Sequence, residues 1–395
     1  TLIFASMAGH WKGFRFLPPG GWLWLAYCFA SLISIYNAPM PLYTWFAFVK
    51  ALKMVVVFIA AYNFIRTEKE LRFALLCLVG VMCWELIAVI NQKYVDHIYQ
   101  VWGTFEHQNS LCMFTILLGM VLLAVALGPK EKGANFFLFA FIGCAAIVQS
   151  SLSRAGLFIF AAGTVGVVAG SLIDRPTRRR LSVLGGLTLV ALLGLAMTMD
   201  TILARFNDYG NDESKRTRDM LNLSSRMMLN DFPAGIGWNN FAETINPPWT
   251  YGEHIDYWQQ ANGNTVDKKY RKGVVESLWW LLLAETGYQG FATYVLFIAL
   301  FLFWNVRNAI FFRRSYLGSV SIGLFVGSSM NYAQSFLERV LTQPRNMMLW
   351  FILLAMTARI HTWRKAELRR RRFLFEEQVQ QTPRKYLEYH EPAAA

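Results

Sequence analysis

The chain sets long apolar runs against short polar connections, over and over. Runs near 20–36, 42–65, 71–91, 109–128, 135–151, 155–173, 182–200, 278–304, 316–335 and 346–362 approach or reach the length that crosses roughly 30 Å of hydrocarbon. The pattern predicts an all-α, polytopic membrane protein with about ten spans, several of them short. The 278–304 run is the long one, and Gly287 and Gly290 stand where they would break or bend it. If it held two crossings, everything before it would change sides. One stretch of about 75 residues, 201–275, is too polar for a bilayer. The expected division is therefore an N-terminal bundle over 1–200, a polar loop over 201–275, C-terminal spans over 276–363 and a tail over 364–395. The tail is basic from Arg364 to Arg372, then polar and expected to be loosely ordered. Thr1 to Met7 reads as the end of a longer apolar segment, which predicts a span upstream; no cleavable signal is visible. No internal repeat is detected.

Composition agrees. Of 395 residues, 55% are hydrophobic, 15% aromatic and only 16% charged, against roughly 25% charged in a soluble domain. The net charge of +13 raises nucleic acid as a partner. Its distribution argues against that, because the cations cluster beside the spans and in the tail, as topology signals do. Cys28, Cys77, Cys83, Cys112 and Cys144 all lie in apolar segments without metal-like spacing and read as packing thiols.

Loop charge orients the chain. One set of connections holds Lys12, Arg15, Arg66, Lys69, Arg72, Lys130, Lys132, Arg175, Arg178, Arg179, Arg180, Arg307, Arg313 and Arg314; the alternate short connections hold only Lys93, Arg154, Arg339 and Arg345. The cation-rich set is cytoplasmic by the positive-inside rule. The 201–275 loop then faces the periplasm or cell exterior, which places the protein in a cytoplasmic membrane. Met220 to Leu229 reads as an amphipathic helix on the membrane surface.

A site on that side has no access to cytosolic nucleotides. The activated donors available there are lipid-linked, typically a polyprenyl diphosphate carrying a glycan. Such a donor needs cations to hold the diphosphate and a base for the acceptor hydroxyl. Arginine suits the first task, since its planar fork binds phosphate oxygens bidentately and stays charged.

Arg218, followed by Pro233-Ala234-Gly235-Ile236-Gly237-Trp238-Asn239-Asn240-Phe241, resembles the O-antigen ligase superfamily, which also holds Wzy-type polymerases and pilin oligosaccharyltransferases. Gly103-Thr104-Phe105-Glu106-His107-Gln108-Asn109, Ser151-Leu152-Ser153-Arg154-Ala155-Gly156 and Leu283-Ala284-Glu285-Thr286-Gly287 are similar to further family segments, in the same order over about 100–290. The resemblance implies a GT-C-like arrangement. It implies glycan transfer from an undecaprenyl-diphosphate donor to an acceptor glycolipid, protein or glycan. It also implies work without metal or other cofactor, with arginines in the cation's place; no acidic pair at ligand spacing stands beside them in the sequence. Glu276 and Ser277 fall where the family carries His-Asn, so the resemblance makes Glu276 the candidate base.

Arg218 and Glu276 are thus the candidate catalytic residues, with Arg154, Arg226, His254, Arg339 and Arg345 as candidate substrate contacts. Alternatives stay open for each. The arginines also suit lipid headgroups or solvent, Glu276 also suits a helix N-terminus, and His254 either supplies the missing base or is an ordinary loop residue. Trp249, Trp258, Trp279 and Trp280 fit an interfacial belt. Lys50 and Glu85, both about 10 Å below the outer surface by helical rise, read as a structural ion pair. Glu285 reads as a packing or hydrogen-bonding residue, and the Gly235/Gly237 pair as a tight turn. Rival functions are a polymerase of the same superfamily, a transporter of lipid-linked saccharide, and a non-catalytic relative.

Overall fold

A computed structural model describes residues 14–128, 133–173, 177–178, 180–186, 210–255 and 273–381. Every regular element among them is helical. The principal helices are α1 (Gly21–Leu32), α2 (Pro41–Phe64), α3 (Glu68–Tyr94), α4 (Gln108–Ala126), α5 (Ala134–Ser151), α6 (Arg154–Leu172), α7 (Gly210–Asp231), α8 (Phe241–Thr244), α9 (Leu278–Phe311), α10 (Tyr316–Gln334) and α11 (Pro344–Gln381).

Six of them, α2 to α6 and α9, are long and apolar enough to cross a membrane. The expectation of ten met different fates. The 20–36 run is split into the 12-residue α1 and a 3-10 turn, Ile33–Asn37. The 316–335 and 346–362 runs form α10 and part of α11, which do not reach the same apolar standard. Most of the 182–200 run, at 187–200, lies outside the described residues, as do Thr1 to Met7, Lys12, Lys130, Lys132, Arg175, Arg179 and Trp258. α11 corrects the tail: helix continues past Arg372 to Gln381 where loose chain was expected.

α4 is the axis of the bundle, with almost every residue buried. Its closest neighbour is α10, which brings Gly323 and Gly327 against it. A Cβ on Gly323 would stand 2.4 Å from the Val121 Cα, and one on Gly327 2.9 Å from the Leu117 carbonyl oxygen. Small residues one turn apart let two backbones approach in lipid, where packing replaces the hydrophobic effect between helices. α5 and α6 flank α4; α1, α2, α9 and α11 form the other side. That side is filled by interlocking rings of Trp24, Phe297, Trp350 and Phe351. Outward positions of α2 and α3, such as Phe46, Phe73, Trp84 and Ile87, stay exposed, as a lipid-facing surface requires. Cys77 and Cys83 lie on that exposed surface of α3, whereas Cys28, Cys112 and Cys144 are buried.

α9 carries a true break. Gly287 has φ 66° and ψ −174° inside an otherwise helical run. The piece before it, 278–286, rises only about 13 Å at helical spacing, too little for a separate crossing. The break therefore bends one span and does not double it.

The expected Lys50–Glu85 pair is not formed. Glu85 turns to the loop before α4, where Oε2 accepts from the Thr104 N–H at 3.0 Å and Oε1 from the Thr104 hydroxyl. Lys50 Nζ donates to the Thr342 carbonyl at 3.0 Å. Equal depth fixed neither helix's rotation, and each group found backbone nearer at hand.

α7 also departs from expectation. Leu221 and Met228 sit in a small core with Ile236, Phe241, Ile245, Tyr251 and Leu281, apart from the main one. Its apolar stripe is buried against the loop that follows and the start of α9, so it does not lie open to lipid.

Candidate functional site

The segment after α7 is docked on the α9 break by backbone contacts. Ile236 N–H donates to the Ala284 carbonyl at 2.9 Å, and Tyr288 N–H to the Pro233 carbonyl at 3.1 Å. Gln289 Nε2 donates to the Ala234 carbonyl at 2.7 Å, and Asn37 Nδ2 to the Gly235 carbonyl at 3.0 Å. Gly235 has φ 90°, and a Cβ there would lie 2.5 Å from the Glu285 carbonyl oxygen. The glycine-rich turn is thus glycine-rich because two main chains touch. Glu285 is buried and its Oε1 accepts from the Phe241 N–H at 3.2 Å, the hydrogen-bonding role its sequence position indicated. Asn240 completes the dock, accepting from the Met40 N–H at 2.9 Å and donating to the Thr44 hydroxyl at 3.1 Å.

This dock brings α7 over the bundle end where α4, α6, α9 and α11 all begin. Arg218, midway along α7, donates from Nε to Glu276 Oε2, and its Nη2 lies 3.6 Å from Glu338 Oε1. Asn109, in the first turn of α4, donates from Nδ2 to the same Glu338 oxygen. The Ser153 hydroxyl donates to Asn109 Oδ1 at 2.8 Å and caps α6 by accepting from the Gly156 N–H at 3.2 Å. His107 caps α4, its Nδ1 accepting from the Asn109 N–H at 3.2 Å. Five separate stretches of chain therefore meet in one polar cluster: 107–109, 153–156, Arg218, Glu276 and Glu338.

Electrostatics separate the two carboxylates. Glu276, with 41% of its side chain exposed, is solvated and paired to Arg218. Glu338 is 13% exposed. Burial, and secondarily repulsion from Glu276, push its carboxyl up to about 7, against the opposing pull of Arg218, the Asn109 hydrogen bond and Arg339. Burial holds the His107 imidazole below its usual range, with Glu276 opposing. The N-termini of four helices add partial positive charge at the same end of the bundle.

The other candidate residues are placed as follows. Arg154 opens α6 beside Ser153. Arg339 follows Glu338 directly, exposed, at the head of the 3-10 turn Val340–Thr342. Arg345 reaches back to the loop before α4, donating from Nη1 to the Thr104 carbonyl and, at 3.1 Å, to the Thr104 hydroxyl. Arg226 lies over the Trp280 ring at 4.7 Å. His254 packs beneath α7, its Nε2 donating to the Met220 carbonyl at 2.9 Å. Glu276 precedes the α9 cap residue Ser277 and pairs with Arg218 in place of capping. Trp279 donates from Nε1 to the Tyr332 carbonyl at 3.3 Å, and its ring packs on Tyr294 and Phe336.

Glu338 is the residue that sequence reasoning passed over. The linear sequence sets no acidic pair beside the arginines, yet folding places Glu276 and Glu338 on either side of Arg218. Its only sequence signal is an acid in a short connection otherwise counted for its cations. The chain matches no protein-family model and no curated protein.

Proposed function

We propose that this is a membrane glycosyltransferase with about ten spans in a GT-C-like arrangement. It moves a glycan from an undecaprenyl-diphosphate donor to an acceptor hydroxyl on the periplasmic face of the cytoplasmic membrane. The observation that carries this reading is Arg218, brought from a long polar segment onto the bundle end and held between two carboxylates of different burial. A guanidinium there neutralises a diphosphate as it leaves, and a carboxylate beside it takes the acceptor's proton. Arg154, at the neighbouring helix start, is assigned as a second cation for the same anion. The imbalance of loop cations supports an outward orientation for this end of the bundle.

Purified protein is incubated with a polyprenyl-diphosphate glycan and separate glycolipid, peptide and lipid-linked glycan acceptors, with products read by mass spectrometry. Transfer to one acceptor is expected. A ladder of repeats on polyprenol would identify that acceptor as another lipid-linked glycan. Arg218→Ala is expected to lose about 100- to 1,000-fold in rate, the scale for removing one charge-stabilising donor. Undiminished transfer by Arg218→Ala would remove the central assignment.

A further inference from the structure

Glu276 and Glu338 flank the same guanidinium but are not equivalent as bases. Glu276 gives Oε2 to Arg218 Nε and is open to solvent. That ion pair commits Glu276 to the guanidinium. Among the described residues, Glu338 takes its side-chain contacts, from Asn109 Nδ2 and Arg218 Nη2, on Oε1. That leaves Oε2 as the oxygen on which a proton can be received. It also stands where α4, α6 and α7 meet, with Arg218 and Glu276 on one side, Arg339 next in the chain, and His107, Asn109, Ser153 and Arg154 at the neighbouring helix starts.

We propose that Glu338 is the group that receives the acceptor's proton, while Glu276 holds Arg218 in place for the diphosphate; this rests on the glycosyl-transfer reading above. In the step, the acceptor hydroxyl oxygen bonds to the anomeric carbon as the bond from that carbon to the diphosphate oxygen breaks. The electron pair of the broken bond leaves with the polyprenyl diphosphate, beside Arg218. The hydroxyl proton passes to Glu338 Oε2 and is lost to water once the products depart. The raised carboxyl, near 7, suits proton transfer at neutral pH.

The test is the pH dependence of kcat/KM for donor transfer in the full-length protein, comparing wild type with Glu338→Gln, Glu276→Gln and Asn109→Ala. Wild type is expected to show an acid limb with a midpoint near 7, where protonation removes the base. Glu338→Gln keeps an acceptor for Asn109 and is expected to lose roughly 100-fold or more in kcat together with that limb. Glu276→Gln is expected to keep the limb and to raise the KM for donor. Asn109→Ala retains Glu338 but removes a hydrogen bond to its charged form, so its limb moves to higher pH; this variant carries the test should Glu338→Gln misfold. A wild-type rate in folded Glu338→Gln, an unmoved limb in Asn109→Ala, or loss of the limb in Glu276→Gln overturns the assignment and leaves the transfer reading standing. No transfer by wild type to any acceptor overturns both.

Discussion

Replacing Gly235 with alanine tests whether the loop after α7 is held by main-chain contact with the α9 break. The new Cβ would meet the Glu285 carbonyl oxygen at 2.5 Å, the Gly287 nitrogen at 2.7 Å and the Glu285 carbonyl carbon at 2.8 Å, all backbone. None of these atoms can swing aside as a side chain would. The loop has to lift by roughly 1 Å to restore ordinary van der Waals spacing. That movement weakens three bonds: Ile236 N–H to Ala284, Tyr288 N–H to Pro233, and Gln289 to Ala234. Each is worth about 0.5–1.5 kcal/mol net, and a left-handed backbone at an alanine adds about 1–2 kcal/mol. The expected loss is about 3–6 kcal/mol. A thiol-reactive dye reports unfolding here through Cys28, Cys112 and Cys144, which are buried. The midpoint in detergent is expected to fall by about 4–7 °C. Gly80→Ala is the matched control: it lies in α3 with nothing within 4 Å of the new methyl, and is expected to be neutral or stabilising by up to about 1 kcal/mol. If Gly235→Ala melts within about 2 °C of wild type, the docking argument fails.

Asn240→Ala strips the Met40 N–H of its acceptor and the buried Thr44 hydroxyl of its donor. It is expected to cost about 2–3 kcal/mol and to lower the same melting midpoint; a shift under about 1 °C would show that water replaces the amide. Arg345→Gln removes the clamp on Thr104 while Glu85 and Gln92 still hold that loop from α3. Hydrogen exchange at 103–106 is expected to quicken with little change in global stability, because an exposed contact of this kind is worth about 1 kcal/mol or less; unchanged exchange would assign the clamp to α3 alone.

What the sequence made legible follows from what each signal encodes. Apolar runs report burial in lipid, and they located α2 to α6 within a few residues and α9 at its start, while its helix runs on past the apolar run to Phe311. Gly287 was readable as a break because φ 66° combined with ψ −174° is backbone that essentially only glycine adopts. The same reasoning found a tight turn at Gly235 and Gly237 but not its partner, since turn chemistry is local and the α9 backbone is some 50 residues away. Lys50 and Glu85 expose the matching weakness along helices. Helical rise gives depth, whereas pairing also needs rotation about the axis, and rotation is set by packing on neighbours the sequence does not name.

Glu338 was hidden for the opposite reason. In lipid, polar side chains on spanning helices are costly, so polar groups accumulate at helix ends, where any one of them looks like an ordinary interfacial residue. Each of Asn109, Ser153, Glu276 and Glu338 sits at or near a helix start or in a short connection at the same end of the bundle. Individually they cap, solvate or mark topology. Their chemistry arises only when four helix starts converge and Arg218 descends on them from α7. A polar cluster assembled this way needs no sequence motif of its own, because the bundle supplies the proximity. Burial then sorts the carboxylates: Glu276 remains wet and ion-paired, and Glu338 becomes the one whose charge the fold holds least comfortably.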